Sequence, residues 1–306
     1  MIKKNPKIFD VFLFFNELDL LELRLKTLYN VVDYFIITEI NETFSGKYKE
    51  LIFKRNEKRY EKFLKKIVYN PISKKELKEL QTEYWSNYTS DFNISLPHKH
   101  NGKPAKKLQN SLKREITHRD AAIYGLHDLA SPEDIILLSD LDEIPNPVAI
   151  KNTLKDDLIY PHYFKMDWYI YWINNRVGLP WFGTVMFKFK NLKGSSLDNL
   201  RFPTSDEKNI PGKITNNGGW HFSYLGGSKK VMEKLKAHPF QGYKSQIAMI
   251  LNKLNLRKIE LTIKKNKDIL FQNRKFLIVE IDDSYPSEIL ENKSFIKKYS
   301  FGIDRQ

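Results

Sequence analysis

Residues 134–147 read DIILLSDLDEIPNP. The segment 135–140 is so rich in aliphatic residues that we expect it to form a buried strand. Three acidic residues, Asp140, Asp142 and Glu143, lie close together at its end. Two prolines then prevent the strand from continuing, since proline cannot donate a hydrogen bond to a neighbouring strand. The sequence therefore predicts a buried strand that ends in a crowded group of carboxylates.

The chain before this strand alternates between strand-like and helix-like segments. The segment 17–30 places leucines at steps of three and four residues, as on one face of a helix, and Asn16 is a suitable N-cap. This alternation predicts an α/β fold with a Rossmann-like, mainly parallel central sheet, in which ligands bind at the carboxyl ends of the strands. The predicted strands are 7–15, 32–40 and 66–70, and the predicted helices are 17–30, 55–66, 74–84 and 107–129.

The second half of the sequence is less regular. Residues 86–106 and 191–219 hold no hydrophobic period and are predicted to be loops. The elements predicted around them are strands at 158–173 and 183–189 and helices at 228–237 and 245–255.

Composition excludes several classes of protein. The chain has 306 residues and no cysteine, so disulfides and cysteine-ligated metals are excluded. Asp10 interrupts the apolar N-terminal run, which indicates a first core strand rather than a signal peptide. No apolar run approaches the roughly 20 residues of a membrane-spanning helix. We therefore expect a soluble, cytoplasmic protein.

The formal net charge of +14 has two interpretations. The lysines and arginines are spread along the chain, which favours a solvated basic surface, and no nucleic-acid-binding motif accompanies them. A basic surface can also attract polyanions or an anionic membrane face. We expect no nucleic-acid partner, and we keep peripheral contact with the inner face of a membrane as an open alternative.

The Asp-Leu-Asp sequence at the strand end suggests a metal site. Two neighbouring carboxylates repel each other, and a hard divalent cation removes that penalty. Mg²⁺ and Mn²⁺ prefer carboxylate oxygens and commonly bridge them to the phosphates of a substrate. The pattern therefore indicates a site for Mn²⁺ or Mg²⁺ with a diphosphate, although acidic pairs at strand ends are also often solvated turns.

Three blocks of the sequence resemble glycosyltransferase family 17, the family of the β-1,4-mannosyl-glycoprotein β-1,4-N-acetylglucosaminyltransferase. They are residues 9–53, beginning FDVFLFFNELDLLELRLKTLYN; residues 136–147, ILLSDLDEIPNP; and residues 218–227, GGWHFSYLGG. The third block departs from the vertebrate members, which read Trp-His-Cys-Ser-Trp where this chain reads Trp-His-Phe-Ser-Tyr. With no Golgi anchor in the sequence, we expect a bacterial or viral cytosolic relative.

The resemblance implies a GT-A type nucleotide-diphospho-sugar transferase fold. It also implies an inverting transfer of N-acetylglucosamine from a UDP-sugar donor to a glycan or glycolipid acceptor. It predicts a GT-A domain over residues 1–240, with a donor half at about 1–147 and an acceptor half at about 148–240. Residues 241–306 are then a helical and basic extension packed on the same domain, and the oligomeric state stays open.

The resemblance places the metal ligands in the second and third blocks. Asp142 is expected to bind the metal directly, while Asp140 would contact the metal or the hydroxyls of the donor. Glu143 would hold Asp140 and Asp142 in position without contacting the metal itself. His221 is a candidate ligand because GT-A enzymes often complete the metal site with a late histidine, and the two glycines before it allow close backbone approach. The alternative is a hydrogen-bonded core histidine.

An inverting transfer is a single displacement, so it needs a carboxylate base that takes the proton of the acceptor hydroxyl. Asp206 and Glu207 are the first candidates because they stand in a polar loop. Asp167, within the aromatic segment FKMDWYIYW, is the second. Each of them can instead be a solvated or ion-paired carboxylate. The aromatic residues of that segment are either a sugar-stacking surface or part of the core.

Contacts to the donor are predicted at the ends of the first two strands and on the helix before the acidic strand. Arginines on that helix would meet the charge that develops on the diphosphate. The predicted donor contacts are Asn16, Glu17, Glu39, Ser45, Lys47, Arg114, Arg119 and Asp140.

Two other functions are compatible with parts of the sequence. A sugar-nucleotide pyrophosphorylase needs a glycine-rich basic loop directly after its first strand, and FFNELD at residues 14–19 lacks one. A non-enzymatic polyanion-binding protein is motivated by the net charge alone.

Overall fold

The computed structural model describes residues 5–77, 79, 106–193, 195–201, 206–237, 256–269 and 274–302. The predicted loop 86–106 lies outside the described residues except for its last position, and the predicted helix 245–255 lies wholly outside them. Of the predicted helix 74–84, residues 74–77 are helical and most of the remainder is outside the described residues.

Four parallel strands form the part of the sheet that leads to the acidic residues. They are β1 (Ile8–Leu13), β2 (Tyr34–Ile40), β3 (Ile67–Ile72) and β4 (Ile135–Asp140), at the predicted positions. Their order is β4-β1-β2-β3, and each neighbouring pair is parallel. Because β2 and β4 lie on opposite sides of β1, a crevice opens between the carboxyl ends of β1 and β4.

Helices connect these strands, as parallel crossovers require. Helix α1 (Leu18–Leu28) follows β1, α2 (Ile52–Asn56) follows β2, and α3 (Lys106–Asp120) precedes β4. The predicted helix 55–66 is the end of α2 continued by a 3₁₀ helix over Glu57–Lys66, and the predicted helix 107–129 is α3 continued by a 3₁₀ helix over Ala121–Gly125. The predicted cap of α1 was wrong, because Glu17 occupies the N-cap position.

The second half of the sheet is largely antiparallel, so the prediction of a mainly parallel sheet was wrong for the sheet as a whole. The added strands are β5 (Glu143–Pro145), β6 (His162–Ile170), β7 (Asn175–Val177), β8 (Trp181–Lys188), β9 (Lys213–Ser223) and β10 (Phe276–Ile278). Ten strands within the described ranges form one mixed sheet. Eight of them follow the order β10-β7-β6-β8-β4-β1-β2-β3, and β9 pairs with β5 and β6 beside this path. Short connections join antiparallel neighbours more readily than parallel ones, and only a short turn separates β6 from β7.

Strand β9 contradicts the predicted loop 191–219, whose last residues lie in this strand. Its first half, KITNN, is too polar to predict a strand. It pairs in parallel with β6 and antiparallel with β5, and these tertiary pairings override the weak local preference. The remaining helices are α4 (Pro147–Thr153), α5 (Leu197–Leu200), α6 (Gly227–Ala237), α7 (Leu256–Lys264), α8 (Ser287–Leu290) and α9 (Lys293–Tyr299), with 3₁₀ turns at Phe189–Leu192 and Glu207–Asn209.

Strands β1, β2 and β4 are largely buried on both faces, as their apolar sequences predict, whereas the edge strand β3 is mostly half-buried. Along β4, Ile135 and Leu137 join the core cluster beneath α1, while Ile136 and Leu138 join a second cluster on the other face. In the C-terminal part of the chain, α8 and α9 pack on α1, where the Tyr299 hydroxyl donates to Asp19 at 2.6 Å, and α7 packs on α6. Among the described residues, no helix is long and apolar enough to cross a membrane.

Candidate functional site

A cleft of about 700 Å³, partly open to solvent, lies at the carboxyl edge of the parallel strands. The chain leaving β1 contributes Phe14 and Phe15, and the chain leaving β4 contributes Asp140 and Asp142. Lys234 of α6 lies opposite these residues in the lining of the cleft. The crevice between β1 and β4 therefore holds the acidic residues that the sequence predicts at a strand end.

Arg24 of α1 holds the backbone of the acidic turn in place. Its side chain is fully buried and forms an ion pair with Asp10 of β1, with an Nη2–Oδ1 distance of 2.6 Å. Its Nη1 donates to the carbonyl oxygens of Asp140, Leu141 and Glu143 at 3.0, 3.2 and 2.7 Å. A guanidinium presents several donors in a rigid plane, so one side chain can satisfy a whole turn of carbonyls.

Glu143 is a buried carboxylate that faces away from the cleft. Its two oxygens accept from Nη2 of Arg201 at 2.6 Å each, and one of them accepts from the indole Nε1 of Trp181 at 2.6 Å. Gly183 is necessary here, because a Cβ at that position would lie 2.5 Å from the carboxyl carbon of Glu143. Burial raises the pKa of Glu143, and the Arg201 guanidinium opposes that shift. Glu143 thus supports the turn, where it also accepts from the backbone N–H of Asp140 at 2.8 Å. Its support of a bound metal or donor stays a prediction.

Asp140, the last residue of β4, lies between two arginines. Its Oδ2 is 2.9 Å from Nη2 of Arg201, and its Oδ1 is 3.6 Å from Nε of Arg119. Arg119 also donates to Asp198 at 2.7 Å and to Glu115 at 3.0 Å. Asp140 is therefore held by positive charge on one side while it still lines the cleft.

Asp142 forms an ion pair with Lys234 in the lining of the cleft. Its Oδ2 accepts a hydrogen bond from Nζ of Lys234 at 2.5 Å, and its Oδ1 lies 3.7 Å from Nε2 of His221. Burial alone would raise the pKa of Asp142, but the Lys234 ammonium lowers it below its ordinary value. Burial would likewise lower the pKa of Lys234, yet the Asp142 carboxylate raises it. Both groups therefore stay charged at neutral pH.

His221 is brought to Asp142 by strand pairing. In β9 it pairs with Glu143 of β5 on one side and with Trp168 of β6 on the other. Gly219 makes this approach possible, since its φ is +132° and a Cβ there would lie 2.2 Å from the carbonyl oxygen of Ile144. Burial lowers the pKa of His221 to about 4, so its imidazole is neutral at pH 7.

These residues fit a divalent cation that shares its coordination with a substrate. Asp142, in the turn between β4 and β5, offers an ionised carboxylate, and His221 of β9 offers a neutral imidazole. Both are suitable donors, and magnesium-type sites commonly use one or two carboxylates plus substrate phosphates. Within the described ranges, no group of three or more His, Cys, Asp or Glu residues is arranged as a preformed metal site. Asp142 and His221 would therefore need oxygen atoms from the substrate or water to complete the coordination.

The apolar end of the cleft contains one unsatisfied polar group. Phe15, Phe44 and His118 line it, and the rings of Phe44 and His118 lie 5.0 Å apart. Nε2 of His118 is buried and has no hydrogen-bond partner among the described residues. Burial lowers the pKa of His118 to about 3, helped by the charges of Arg114 and Arg119, so the ring is neutral. A buried polar atom in a cleft wall is a natural contact for a ligand.

Several predicted donor contacts are not among the residues that line the cleft, and they have partners within the protein. Glu39 is fully buried and accepts from the backbone N–H groups of Ile52 and Phe53, at the start of α2. The Oγ atoms of Ser45 and Thr43 are 2.9 Å apart. The side-chain amide of Asn16 donates a hydrogen bond to Glu233, and the backbone N–H of Lys47 donates to Oγ1 of Thr43. Arg114 donates to the carbonyl oxygen of Phe44. Glu17, by contrast, lines the cleft.

The three predicted base candidates lie outside the lining of this cleft. Glu207 is half-exposed and pairs with Lys165 at 2.7 Å. Asp206 accepts from Asn209 at 2.8 Å and from the backbone N–H of Lys208. Asp167 forms an ion pair with Arg176. The neighbouring aromatic residues Trp168, Tyr169 and Tyr171 are buried in core clusters, which favours the core interpretation for them.

Sequence reasoning missed four residues of this site. They are Arg24, His118, Arg201 and Lys234. The sequence could have pointed to Arg24, because a basic residue between leucines on the buried face of a helix needs an acidic partner. Nothing in the sequence distinguishes Lys234, since it stands in a lysine-rich helix whose other lysines are exposed to solvent.

The fold and this cleft indicate a class of protein first. A large mixed α/β sheet with an acidic turn at the carboxyl edge of its parallel strands fits a glycosyltransferase. Residues 1–94 match the family model of glycosyltransferase family 17, which confirms the predicted resemblance and supports a glycosyl-transfer function. The blocks at 136–147 and 218–227 lie beyond the matched residues. Comparisons with curated proteins and with solved structures give no match.

Proposed function

We propose that this protein is an inverting, divalent-cation-dependent glycosyltransferase of GT-A type. It would transfer N-acetylglucosamine from UDP-N-acetylglucosamine to a hydroxyl of a glycan or glycolipid. The observation that carries the proposal is the position of Asp142, buried and ionised at the crevice between β1 and β4, in a chain whose first 94 residues match glycosyltransferase family 17.

The two ends of the cleft suggest how the donor is oriented. The apolar end offers the rings of Phe15 and Phe44 and the unsatisfied Nε2 of His118, which suit a flat base with a polar edge. The acidic end offers Asp142 beside Lys234, which suits the diphosphate. The uracil would then lie toward β2 and the sugar toward β4.

Asp142 and His221 would hold the Mn²⁺ or Mg²⁺ ion, with Asp140 close by. Such an ion, when bound, neutralises negative charge on a diphosphate leaving group. The protein adds positive charge of its own through Lys234, and Arg119 and Arg201 orient Asp140. Because the two arginines are held by buried contacts, Asp140 needs little reorganisation when charge develops.

The base remains one of the three predicted carboxylates, with Asp206 and Glu207 ahead of Asp167. Glu207 would have to exchange its contact with Lys165 for the acceptor hydroxyl. A base with such a role gives a rate that falls at low pH as the carboxylate is protonated. Glu207→Gln, Asp206→Asn and Asp167→Asn should therefore be compared by the acid limb of the pH–rate profile, which only the variant of the true base will lose.

We expect the protein to meet its acceptor in the cytoplasm. If the acceptor is a glycolipid, we expect the protein to contact an anionic membrane face peripherally. The net charge of +14 supports this arrangement. Co-sedimentation with vesicles that contain anionic lipid, at low and high salt, tests the contact. Equal recovery with neutral and anionic vesicles would contradict it.

The test of the proposed reaction is a panel of sugar nucleotides with the purified protein and Mn²⁺. We expect UDP release from UDP-N-acetylglucosamine above the level with GDP-sugars, and thermal stabilisation by UDP with Mn²⁺. Turnover of UTP with a sugar 1-phosphate would indicate a pyrophosphorylase instead. Stabilisation by oligonucleotides but not by UDP would indicate a polyanion-binding protein.

A further inference from the structure

We infer that Lys234 makes cation binding at Asp142 depend on the diphosphate of the donor. The inference rests on the proposed function and adds a residue and a binding order to it. Lys234 would be a positioning residue that occupies the carboxylate until both the cation and the diphosphate are present.

The geometry of Lys234 is unusual for a lysine. It lies in the last turn of α6 and points into the cleft, with only 18% of its side chain exposed. Its Nζ is 2.5 Å from Oδ2 of Asp142, 3.9 Å from Oε1 of Glu17 and 5.3 Å from the centre of the Tyr224 ring. The ammonium is therefore held on several sides, and it satisfies one of the two oxygens of Asp142.

The other oxygen of Asp142 faces His221 at 3.7 Å, so a divalent cation would bind there. An ion on that oxygen would share a carboxylate with the Lys234 ammonium and would be repelled by it. Such repulsion is strong in a partly buried site, where water screens charges poorly. A cation on its own should therefore bind weakly to the wild-type protein.

A diphosphate removes this conflict. Its oxygens can lie between the two positive charges, and a lysine ammonium on a flexible stem can turn from the carboxylate to a phosphate oxygen. Asp142 then becomes available to the cation with both oxygens. Cation and diphosphate should consequently strengthen each other's binding by the same factor, because coupling between two ligands is reciprocal.

Without the donor, the same contact has a structural benefit. Asp142 is buried, and a buried carboxylate without a partner is strongly unfavourable. Lys234 neutralises it in the empty cleft, so the site needs no ion to remain folded. Helix α6 also carries a matched control, since Lys230 lies one turn earlier, is half-exposed and pairs with Glu233 at 3.1 Å.

The experiment measures Mn²⁺ binding directly, by the EPR signal of free Mn²⁺, with and without UDP. The wild type, Lys234→Gln and Lys230→Gln are titrated, and a protein-free titration corrects for the Mn²⁺–UDP complex. For the wild type we expect UDP to tighten Mn²⁺ binding by about 30-fold or more. Lys234→Gln should bind Mn²⁺ about tenfold more tightly without UDP, and its coupling should fall to a few-fold. Lys230→Gln should behave as the wild type.

Two further measurements protect the test against a poorly folded variant. Lys234→Arg keeps the positive charge and should keep the coupling. Calorimetric titration of UDP into the wild type, with and without Mn²⁺, should give the same coupling factor as the EPR titrations.

The outcomes separate the inference from the proposed function. If the wild type shows coupled binding and Lys234→Gln keeps it in full, the inference is overturned and the proposed function stands. If Lys234→Gln loses UDP affinity without gaining Mn²⁺ affinity, Lys234 is only an anion contact and the inference is overturned as well. If the wild type binds UDP but no Mn²⁺ under either condition, the proposed cation dependence fails and the inference fails with it.

Discussion

Two buried pairs of a carboxylate and a cation lie on either side of the acidic turn. Asp10–Arg24 is fully enclosed, and the remaining donors of Arg24 are used by Ser139 and by the carbonyl oxygens of the turn. Asp142–Lys234 lines the open cleft, and the nearest charged or ring nitrogen to its second carboxylate oxygen among the described residues is Nε2 of His221, at 3.7 Å. The first pair is saturated with hydrogen bonds and stabilises the fold, whereas the second has capacity left for a ligand.

The largest expected effect is the loss of the enclosed pair. Arg24→Met leaves Asp10 buried without a partner and frees the carbonyl oxygens of the turn, so the free energy of unfolding should fall by roughly 3–5 kcal/mol. Chemical denaturation measures this. Arg55→Met, in an exposed pair with Glu50, should lower it by less than about 1 kcal/mol. A small effect of Arg24→Met would mean that other contacts hold the turn.

Removal of the cleft carboxylate should damage activity more than stability. Asp142→Asn removes the charge that we assign to cation binding, so the transfer rate should fall by about 100-fold or more. Stability should change by less than for Arg24→Met, because Lys234 borders a solvent-open cleft and keeps Glu17 nearby. The control is Asp128→Asn, whose side chain is exposed. If Asp142→Asn unfolds the protein as Arg24→Met does, the contrast between the two pairs is wrong.

The smallest effect concerns the cleft wall at acid pH. Burial lowers the pKa of His118 to about 3, so below about pH 6.5 the unfolded state binds a proton that the folded state does not accept. Stability is therefore complete above that pH and is lost as the pH falls, by about 1.4 kcal/mol per pH unit from this residue. Between pH 6.5 and 4.5, His118→Gln should lose about 2 to 3 kcal/mol less than the wild type.

The matched control for this pH effect is His127→Gln, because the side chain of His127 is exposed. Its unfolding free energy should follow the wild-type pH dependence, measured by denaturation at each pH. If His118→Gln also follows the wild-type curve, His118 has nearly the same pKa in the folded and unfolded states. The ring would then take up a proton within the folded protein over this pH range, which contradicts the neutral ring that we assign to the cleft wall.

Local sequence predicted the parallel half of the sheet well. Strands β1, β2 and β4 have the apolar runs that are typical of a sheet covered on both faces, and α1 has a helical leucine repeat. The short edge strand β3 is less apolar, but it too lies at its predicted position. The antiparallel half was harder to predict, because β9 begins with polar residues and is a strand only through its pairing with β5 and β6.

The sequence by itself determined that Asp140, Asp142 and Glu143 follow a buried strand, because an apolar run followed by prolines can end in few other ways. Only the tertiary structure decided their separate roles. Arg24 reaches the turn from 116 residues away in the chain, and Lys234 reaches Asp142 across 92. A local pattern reports which residues are buried, but the charge of a buried carboxylate depends on partners that the folding of the whole sheet brings to it.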